Sequence, residues 1–403
     1  MIPLGIFIAI TFLYSLVSQR LERTVFTAPI VFALAGMLMS FARGHVIQGV
    51  NPQVFLRLAE TGLVLLLFSD ASHADLNVLR SITQLPVRLL SVGLPLTIAL
   101  GALAARGVFP DLSLWEACIV GAILAPTDAG LGQVIVSSPR VPTNIREALN
   151  VEAGLNDGLC VPFLLFFMAL ADVRIEGGEA SLMQFIVEQL GVGTLIGLAV
   201  GLAGGRMLRS ASQSEWMAVR FQQIAVVALP LMCMVLSELL GASMFIASFV
   251  AGLAVQKNFK EAGKHSVEFA EEWGQLLNLS VFFLFGMLVV RDWPQLGPSA
   301  WLYAMISLTV VRMLPVAVAL VGTHLGTATT IFMGWFGPRG LASIVLGMVY
   351  LEQELHLPQE PTIRSIVIVT VFLSIFLHGL TALPGVSLYT SKLTPPTQTA
   401  SAP

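Results

Sequence analysis

Apolar runs of roughly twenty residues recur along the whole chain, separated by charged or Pro/Gly-rich breaks. A hydrocarbon core of about 30 Å needs roughly 20 apolar residues in helical form to cross it. The pattern therefore predicts thirteen membrane-spanning helices. They fall at 2–19, 25–42, 54–72, 81–105, 114–137, 146–171, 181–208, 219–240, 242–257, 272–290, 298–321, 328–351 and 364–384. The first run, Ile2 to Val17, has no basic segment before it and no small-residue cleavage site after it, so it reads as a retained helix. After Pro384 the sequence turns polar and rich in Pro, Ser and Thr, and residues 385–403 read as a short disordered tail.

Composition narrows the class. Of 403 residues, 56% are hydrophobic and 11% are charged, against about 25% charged in an average soluble domain. Such a chain cannot build a polar skin, which excludes a soluble enzyme, a disordered chain and a disulfide scaffold. A net charge of -3 excludes a strongly basic nucleic-acid binder. Cys118, Cys160 and Cys233 all sit inside apolar runs and read as small buried hydrophobes. No CxxC or Cys/His spacing suggests a metal centre or a cofactor.

Loop charges give an orientation. Thirteen of the 21 Lys and Arg fall on the side that follows the first span, and six on the other; Arg312 and Arg339 lie within spans. Positive loops stay inside, so the N-terminus is expected outside and the C-terminus in the cytoplasm.

An odd middle span suggests two six-helix halves of opposite orientation joined by the seventh. The breaks support that pairing. Span five carries Ala125-Pro126-Thr127-Asp128-Ala129-Gly130 in its middle, and span twelve carries Gly334-Trp335-Phe336-Gly337-Pro338-Arg339-Gly340. Proline removes a backbone donor and clashes with the preceding turn. Gly/Pro-interrupted helices at matching places in opposite halves point to a transporter's binding site.

Charges buried in a bilayer are costly and are functional candidates by default. Those within spans are Asp128 beside the first break, Glu152 and Asp157 on span six, Arg312 on span eleven, and Arg339 beside the second break. Glu152 and Asn156 are four residues apart and share a helix face, whereas Asp157 lies about 140° round from Glu152. Arginine stays charged in any plausible setting and needs an acid or several carbonyls. Glu152 is therefore paired with Arg312, and Arg339 is placed at the crossing against freed carbonyls. Asp157 has no obligate cationic partner and is free to hold a proton or a metal ion. Asp128 is placed near the freed backbone of span five as a polarising group. The available donors are carboxylate, hydroxyl, amide and carbonyl oxygens, which suit Na⁺ or K⁺ better than a transition metal. His45 and His73 read as solvated loop-end residues. His324 and His378 are placed near span ends, Glu238 at an outside turn, and Asp70 at a cytoplasmic mouth or along an ion pathway.

At these residues the chain resembles the monovalent cation/proton antiporters, in particular the NhaP-type sodium/proton antiporters and the related sodium/hydrogen exchangers. The family's Thr-Asp in the unwound fifth helix is matched by Thr127-Asp128, and its Glu-Ser-Leu-x-Asn-Asp-Gly run by Glu152 through Gly158. Its eleventh-helix arginine is matched by Arg312, and its Gly-x-Arg-Gly by Gly337 through Gly340. The stretch Glu238 to Leu253 is similar to the family's ninth-helix region. The resemblance implies that Asp157 exchanges ion and proton, and that Thr127, Asp128 and the residue at 153 line the ion site. It also implies that Asn156 supports the site and that Glu152 and Arg312 bridge two helices. An Asn-Asp pair goes in this family with electroneutral exchange. The implied architecture is a homodimer in the bacterial inner membrane. A dimerisation scaffold (about 1–80 and 181–291) would hold an ion-binding core (about 81–171 and 298–384) that moves like an elevator. The chain departs from the pattern in two places. Ala153 stands where the family has Ser, and Phe68-Ser69-Asp70-Ala71-Ser72, with the acid displaced by one residue, stands where the third helix has Phe-Glu-Gly-Gly-Leu.

The leading expectation is an antiporter exchanging Na⁺ or Li⁺ for H⁺. A K⁺/H⁺ antiporter of the same fold is the alternative, followed by a cation channel. A channel needs a continuous filter or charged rings, which the paired breaks do not suggest. The Gly-x-Gly-Asp and Tyr-Asp motifs of an intramembrane aspartyl protease, and HExxH, are absent from the sequence.

Overall fold

The computed structural model describes residues 2–21, 24–42, 52–73, 84–128, 130–172, 183–185, 187–258, 264–352 and 357–393, and every regular element among them is helical. In chain order these are α1 Ile2–Leu21, α2 Ala28–Ala42, α3 Pro52–His73, α4 Leu85–Val108 and α5 Leu114–Ile123. Then come α6 Thr143–Ala171, α7 Gly193–Gln213, α8 Val219–Leu240, α9 Met244–Asn258 and α10 Lys264–Asp292. The last four are α11 Pro298–Ala319, α12 Thr327–Trp335, α13 Leu341–Glu352 and α14 Glu360–Leu393. Each of the thirteen expected spans has its counterpart. Among the described residues, 8 helices are long and apolar enough to cross a membrane, and α2, α5, α9 and α13 are shorter apolar ones.

The two interrupted spans are the reason for the short pieces. Helix α5 opens on a capping box, in which Ser113 and Glu116 each accept from the other's backbone amide at 3.2 and 2.8 Å. It stops at Ile123, before Pro126, and resumes only as a single turn at Gln133–Val136. In the opposite half, α12 stops at Trp335 and α13 starts at Leu341, with Pro338 between them.

A second matched pair of irregularities was not expected from the sequence. Helix α4 contains a π-helical turn at Leu89–Gly93, and α11 contains one at Ser307–Val311. These are spans four and eleven, seven apart like the two breaks, and they pack against each other. The turn in α11 ends at the residue before Arg312 and so sets the direction in which that side chain leaves the helix.

Packing divides the helices into two groups. Helices α2, α3, α7, α8, α9 and α10 form one set of close neighbours, and α4, α5, α6, α11, α12, α13 and α14 form the other. Between the groups, α3 and α9 lie on α6, and α10 lies on α13 and α14. Helix α1 sits outermost against α2 and exposes Leu4, Ile8, Phe12 and Leu16.

The segment read as a disordered tail from residue 385 is helical as far as Leu393. Pro384 does not end α14, because the following turns have something to bury. Val386 and Tyr389 are buried, Tyr389 stacks on Phe332 at 4.2 Å, and its hydroxyl lies 3.1 Å from that of Thr329. Residues 394–403 lie outside the described residues, as do His45 and most of the acidic loop 172–179.

Candidate functional site

The two breaks lock together through their backbones. The Asp128 amide donates to the Pro338 carbonyl at 2.8 Å. The Asp128 carboxylate accepts from Leu131 N at 3.1 Å and from Leu341 N at 2.7 Å. Leu341 is the first residue of α13, so this acid caps a helix N-terminus, where exposed amides and the helix dipole favour negative charge. Asp128 is therefore a bridge between the breaks, engaged by backbone on both oxygens. Arg339 lies on the other side of the crossing, wholly buried, and donates from Nη1 to the carbonyls of Ala125 and Pro126 at 2.6 and 3.1 Å. A cation thus faces carbonyls that have left the α5 ladder, and an anion faces the amides that open α13.

Two glycines make this approach possible. A Cβ placed on Gly340 would fall on the Asp128 carboxylate, and one on Gly337 would fall on the Arg312 guanidinium. Sequence reading took both as helix breakers. Their closer role is to leave room for charged groups.

Helix α6 delivers three polar side chains in six residues, each to a different setting. Glu152 takes Arg312 in a two-pronged pair, Nη1 to Oε1 at 2.5 Å and Nη2 to Oε2 at 2.9 Å, with both residues buried. Planar guanidinium and carboxylate groups match in this geometry. Asn156 donates from Nδ2 to Thr127 Oγ1 at 2.7 Å and so ties α6 to the first break. Asp157 turns away and is half-buried, and its buried Oδ1 has no hydrogen-bond partner among the described residues. Among the described residues no group of three or more His, Cys, Asp or Glu could form a multidentate metal cluster.

Asp70 lies in the last turn of α3 but is not fully solvated there. It is half-buried, and its Cβ would lie 3.2 Å from a Cβ placed on Gly154, so α3 presents it to α6 just before Asp157. Asp70, Asp128 and Asp157 are close enough to feel one another electrostatically. His378 is not near a span end; it is buried in the middle of α14. By contrast His73 and His324 are exposed, and Glu238 pairs with Arg57 at 2.6 Å in the open. A small cleft, partly open to solvent, lies beside the crossing. Thr127, Asp128, Glu152 and Ala153 line it, with Ile135 and Leu149 among its walls. Ala153 offers this cleft a methyl group where a hydroxyl would give an oxygen donor.

The family model for the transmembrane sodium/hydrogen exchangers matches residues 6–387. The Na⁺/H⁺ antiporter 2 of Zygosaccharomyces rouxii is 27% identical over 269 residues, covering 63% of this chain and 33% of its own. The K⁺/H⁺ antiporter NhaP of Alkalimonas amylolytica is 23% identical over 380 residues, covering 93% of this chain and 64% of its own. The chain thus spans between a third and two thirds of the length of these curated relatives. The solved structure of the sodium proton antiporter MjNhaP1 from Methanocaldococcus jannaschii at pH 8 superposes with a TM-score of 0.77 at 19% identity. It covers 98% of this chain and 99% of its own, and the likeness is one of fold.

Proposed function

This chain belongs to the transmembrane sodium/hydrogen exchanger family, and from that premise we propose that it is a secondary antiporter exchanging Na⁺ or Li⁺ for H⁺. The observation that carries the reading is the isolation of Asp157. Around the crossing, Glu152 is matched by Arg312, Asp128 is held by backbone amides and Arg339 is held by backbone carbonyls. Of the three carboxylates at the crossing, Asp128, Glu152 and Asp157, it is Asp157 that keeps a buried oxygen without a hydrogen-bond partner among the described residues. A carboxylate in that position takes either a proton or a monovalent cation. If the site reorients only when occupied, the two flows are coupled.

The proposed motion follows the packing. The core group, carrying both breaks and α6, moves against the scaffold group of α2, α3 and α7–α10. Asp70, on the scaffold, faces the passing site and guides the cation. The cleft lies next to the 137–142 turn, which loop charge assigns to the cytoplasm, so this conformation is the inward-facing one. The same charge distribution supports a cytoplasmic C-terminus and a place in the bacterial inner membrane. A homodimer is part of the proposal, with the outward apolar faces of α1 and α8 as the docking surface.

K⁺ is the second reading, favoured by the Alkalimonas relative's name and by Ala153, which removes one oxygen from a compact site. The test is proton flux in proteoliposomes with an imposed pH gradient and Na⁺, Li⁺ or K⁺ added in turn. Saturable, cation-dependent collapse of the gradient is the expected result, and the order of effectiveness names the ion. No collapse with any of the three rejects the proposal.

A further inference from the structure

Helix α14 carries Ser374, His378 and Thr381 on one face, and all three engage the second break. Arg339 N donates to Ser374 Oγ at 2.6 Å. His378 Nδ1 lies 3.2 Å from Ser374 Oγ and 3.0 Å from the Ser374 carbonyl. His378 Nε2 lies 2.9 Å from the Trp335 carbonyl. Trp335 Nε1 donates to Thr381 Oγ1 at 3.0 Å, and the indole leans on the imidazole with ring centroids 5.2 Å apart.

The proton positions follow from what each atom can do. The Trp335 carbonyl only accepts, so Nε2 carries the hydrogen. The Arg339 amide only donates, so Ser374 Oγ accepts and its own proton is free to go on to a bare Nδ1. A neutral ring with its hydrogen on Nε2 links the two lips: Arg339 N–H to Ser374, Ser374 O–H to His378 Nδ1, and His378 Nε2–H to Trp335, while the bare Nδ1 also faces the Ser374 carbonyl. It is a closed strap from one lip of the break to the other. Trp335 is the last residue of α12, and Arg339 is two residues before α13. Between them lies Pro338, whose carbonyl holds the Asp128 amide.

We propose that His378, with Ser374, is a positioning residue that fixes the width of the second break and through it the place of Asp128 and of the Ala125 and Pro126 carbonyls. On this view its role is to set cation affinity, and it does not carry the transported proton. The charged groups nearest it are Arg339 and Arg312, both already engaged.

The transport arm of the test rests on the antiporter reading; the second arm does not. Glutamine reproduces the Nε2 donor of histidine, whereas leucine reproduces neither nitrogen. His378→Leu and Ser374→Ala are expected to raise the apparent KM for the cation roughly two- to tenfold, the cost of about one buried hydrogen bond. The maximal rate should change by less than about twofold. His378→Gln keeps the Trp335 end of the strap and loses the Nδ1 acceptor, so its KM should fall between those of wild type and His378→Leu, with an unshifted pH profile. The double variant should be no worse than His378→Leu, because both cut the same strap. Independently, hydrogen–deuterium exchange of the protein in detergent should show residues 335–341 exchanging roughly tenfold faster in His378→Leu, with His378→Gln in between.

An unchanged KM in folded His378→Leu overturns the proposal. So does a His378→Gln protein with a shifted pH profile, which would make the histidine a titrating group. If His378→Leu does not fold, Ser374→Ala carries the same comparison. If wild type fails to exchange any cation, the antiporter reading fails, and the exchange of 335–341 still decides the strap.

Discussion

At the scale of single residues, what matters is which charge is left over. Asp157→Asn keeps the shape of the site and removes the charge of the one crossing carboxylate that has a buried oxygen without a partner among the described residues. It should abolish cation-dependent proton flux while leaving the detergent melting temperature and expression near wild type; retained flux would move the exchanging group elsewhere. The Glu152–Arg312 pair predicts a different pattern. Breaking a buried pair leaves one uncompensated charge and costs about 3–5 kcal/mol, whereas replacing both members with apolar groups is often close to neutral. Glu152→Ala should therefore lower the melting temperature sharply, and Glu152→Leu combined with Arg312→Met should recover most of the loss. Equal melting temperatures for the single variant and wild type would show that the pair does not hold α6 to α11. The sequence named these three charges, with Asp128 and Arg339, from a general rule, that ions in a bilayer must be matched or functional. It placed His378 poorly and left Asp70 between two readings because both judgements depended on where a helix ends. Apolar composition does not mark that point when the helix runs on past Pro384, or when another helix covers the position.

At the scale of elements, the two breaks are built by proline and kept close by glycine. Gly340→Ala puts a methyl group into the Asp128 carboxylate, and Gly337→Ala puts one into the Arg312 guanidinium. Overpacking of this kind costs roughly 1–3 kcal/mol, and here it also pushes apart the groups that join the two halves. Both variants should lose exchange activity. Gly297→Ala and Gly326→Ala, with open space at the added carbon, should behave as wild type in the same flux assay. Loss of activity in all four would mean that helix flexibility, and not contact at the crossing, is what these glycines supply. The existence and order of the helices were readable because a twenty-residue apolar run has few other fates. The breaks were readable because Gly and Pro act locally. The π turns in α4 and α11 were not. A π turn adds one residue to a helix without a required residue type, so LLSVG and SLTVV look like any apolar helix until the partner helix is in place.

At the scale of the molecule, charge bookkeeping over the mobile core leads to a prediction about voltage. The crossing carries three acids, Asp128, Glu152 and Asp157, and two bases, Arg312 and Arg339, so it holds one net negative charge when Asp157 is bare. On the proposed motion, Asp70 stays with the scaffold and does not travel. Binding one proton or one monovalent cation at Asp157 brings the core to neutrality in either case. A neutral core crosses the membrane field without electrical work, whereas each net elementary charge moved costs about 2.3 kcal/mol per 100 mV. If reorientation is confined to the neutral forms, both halves of the cycle are silent to the membrane potential and the exchange is one cation for one proton. Measured in proteoliposomes with the potential clamped by a K⁺ gradient and valinomycin, Na⁺- or Li⁺-driven proton flux should be the same at zero and at strongly negative potential. A rate that changes several-fold with the clamp would mean that the core crosses with a net charge in one direction. A second proton would then have to bind, and Asp128 is the carboxylate to suspect, since it too travels with the core. Replacing Glu152 and Arg312 together by apolar residues removes one charge of each sign, so that variant should keep its insensitivity to the clamp even where its turnover falls.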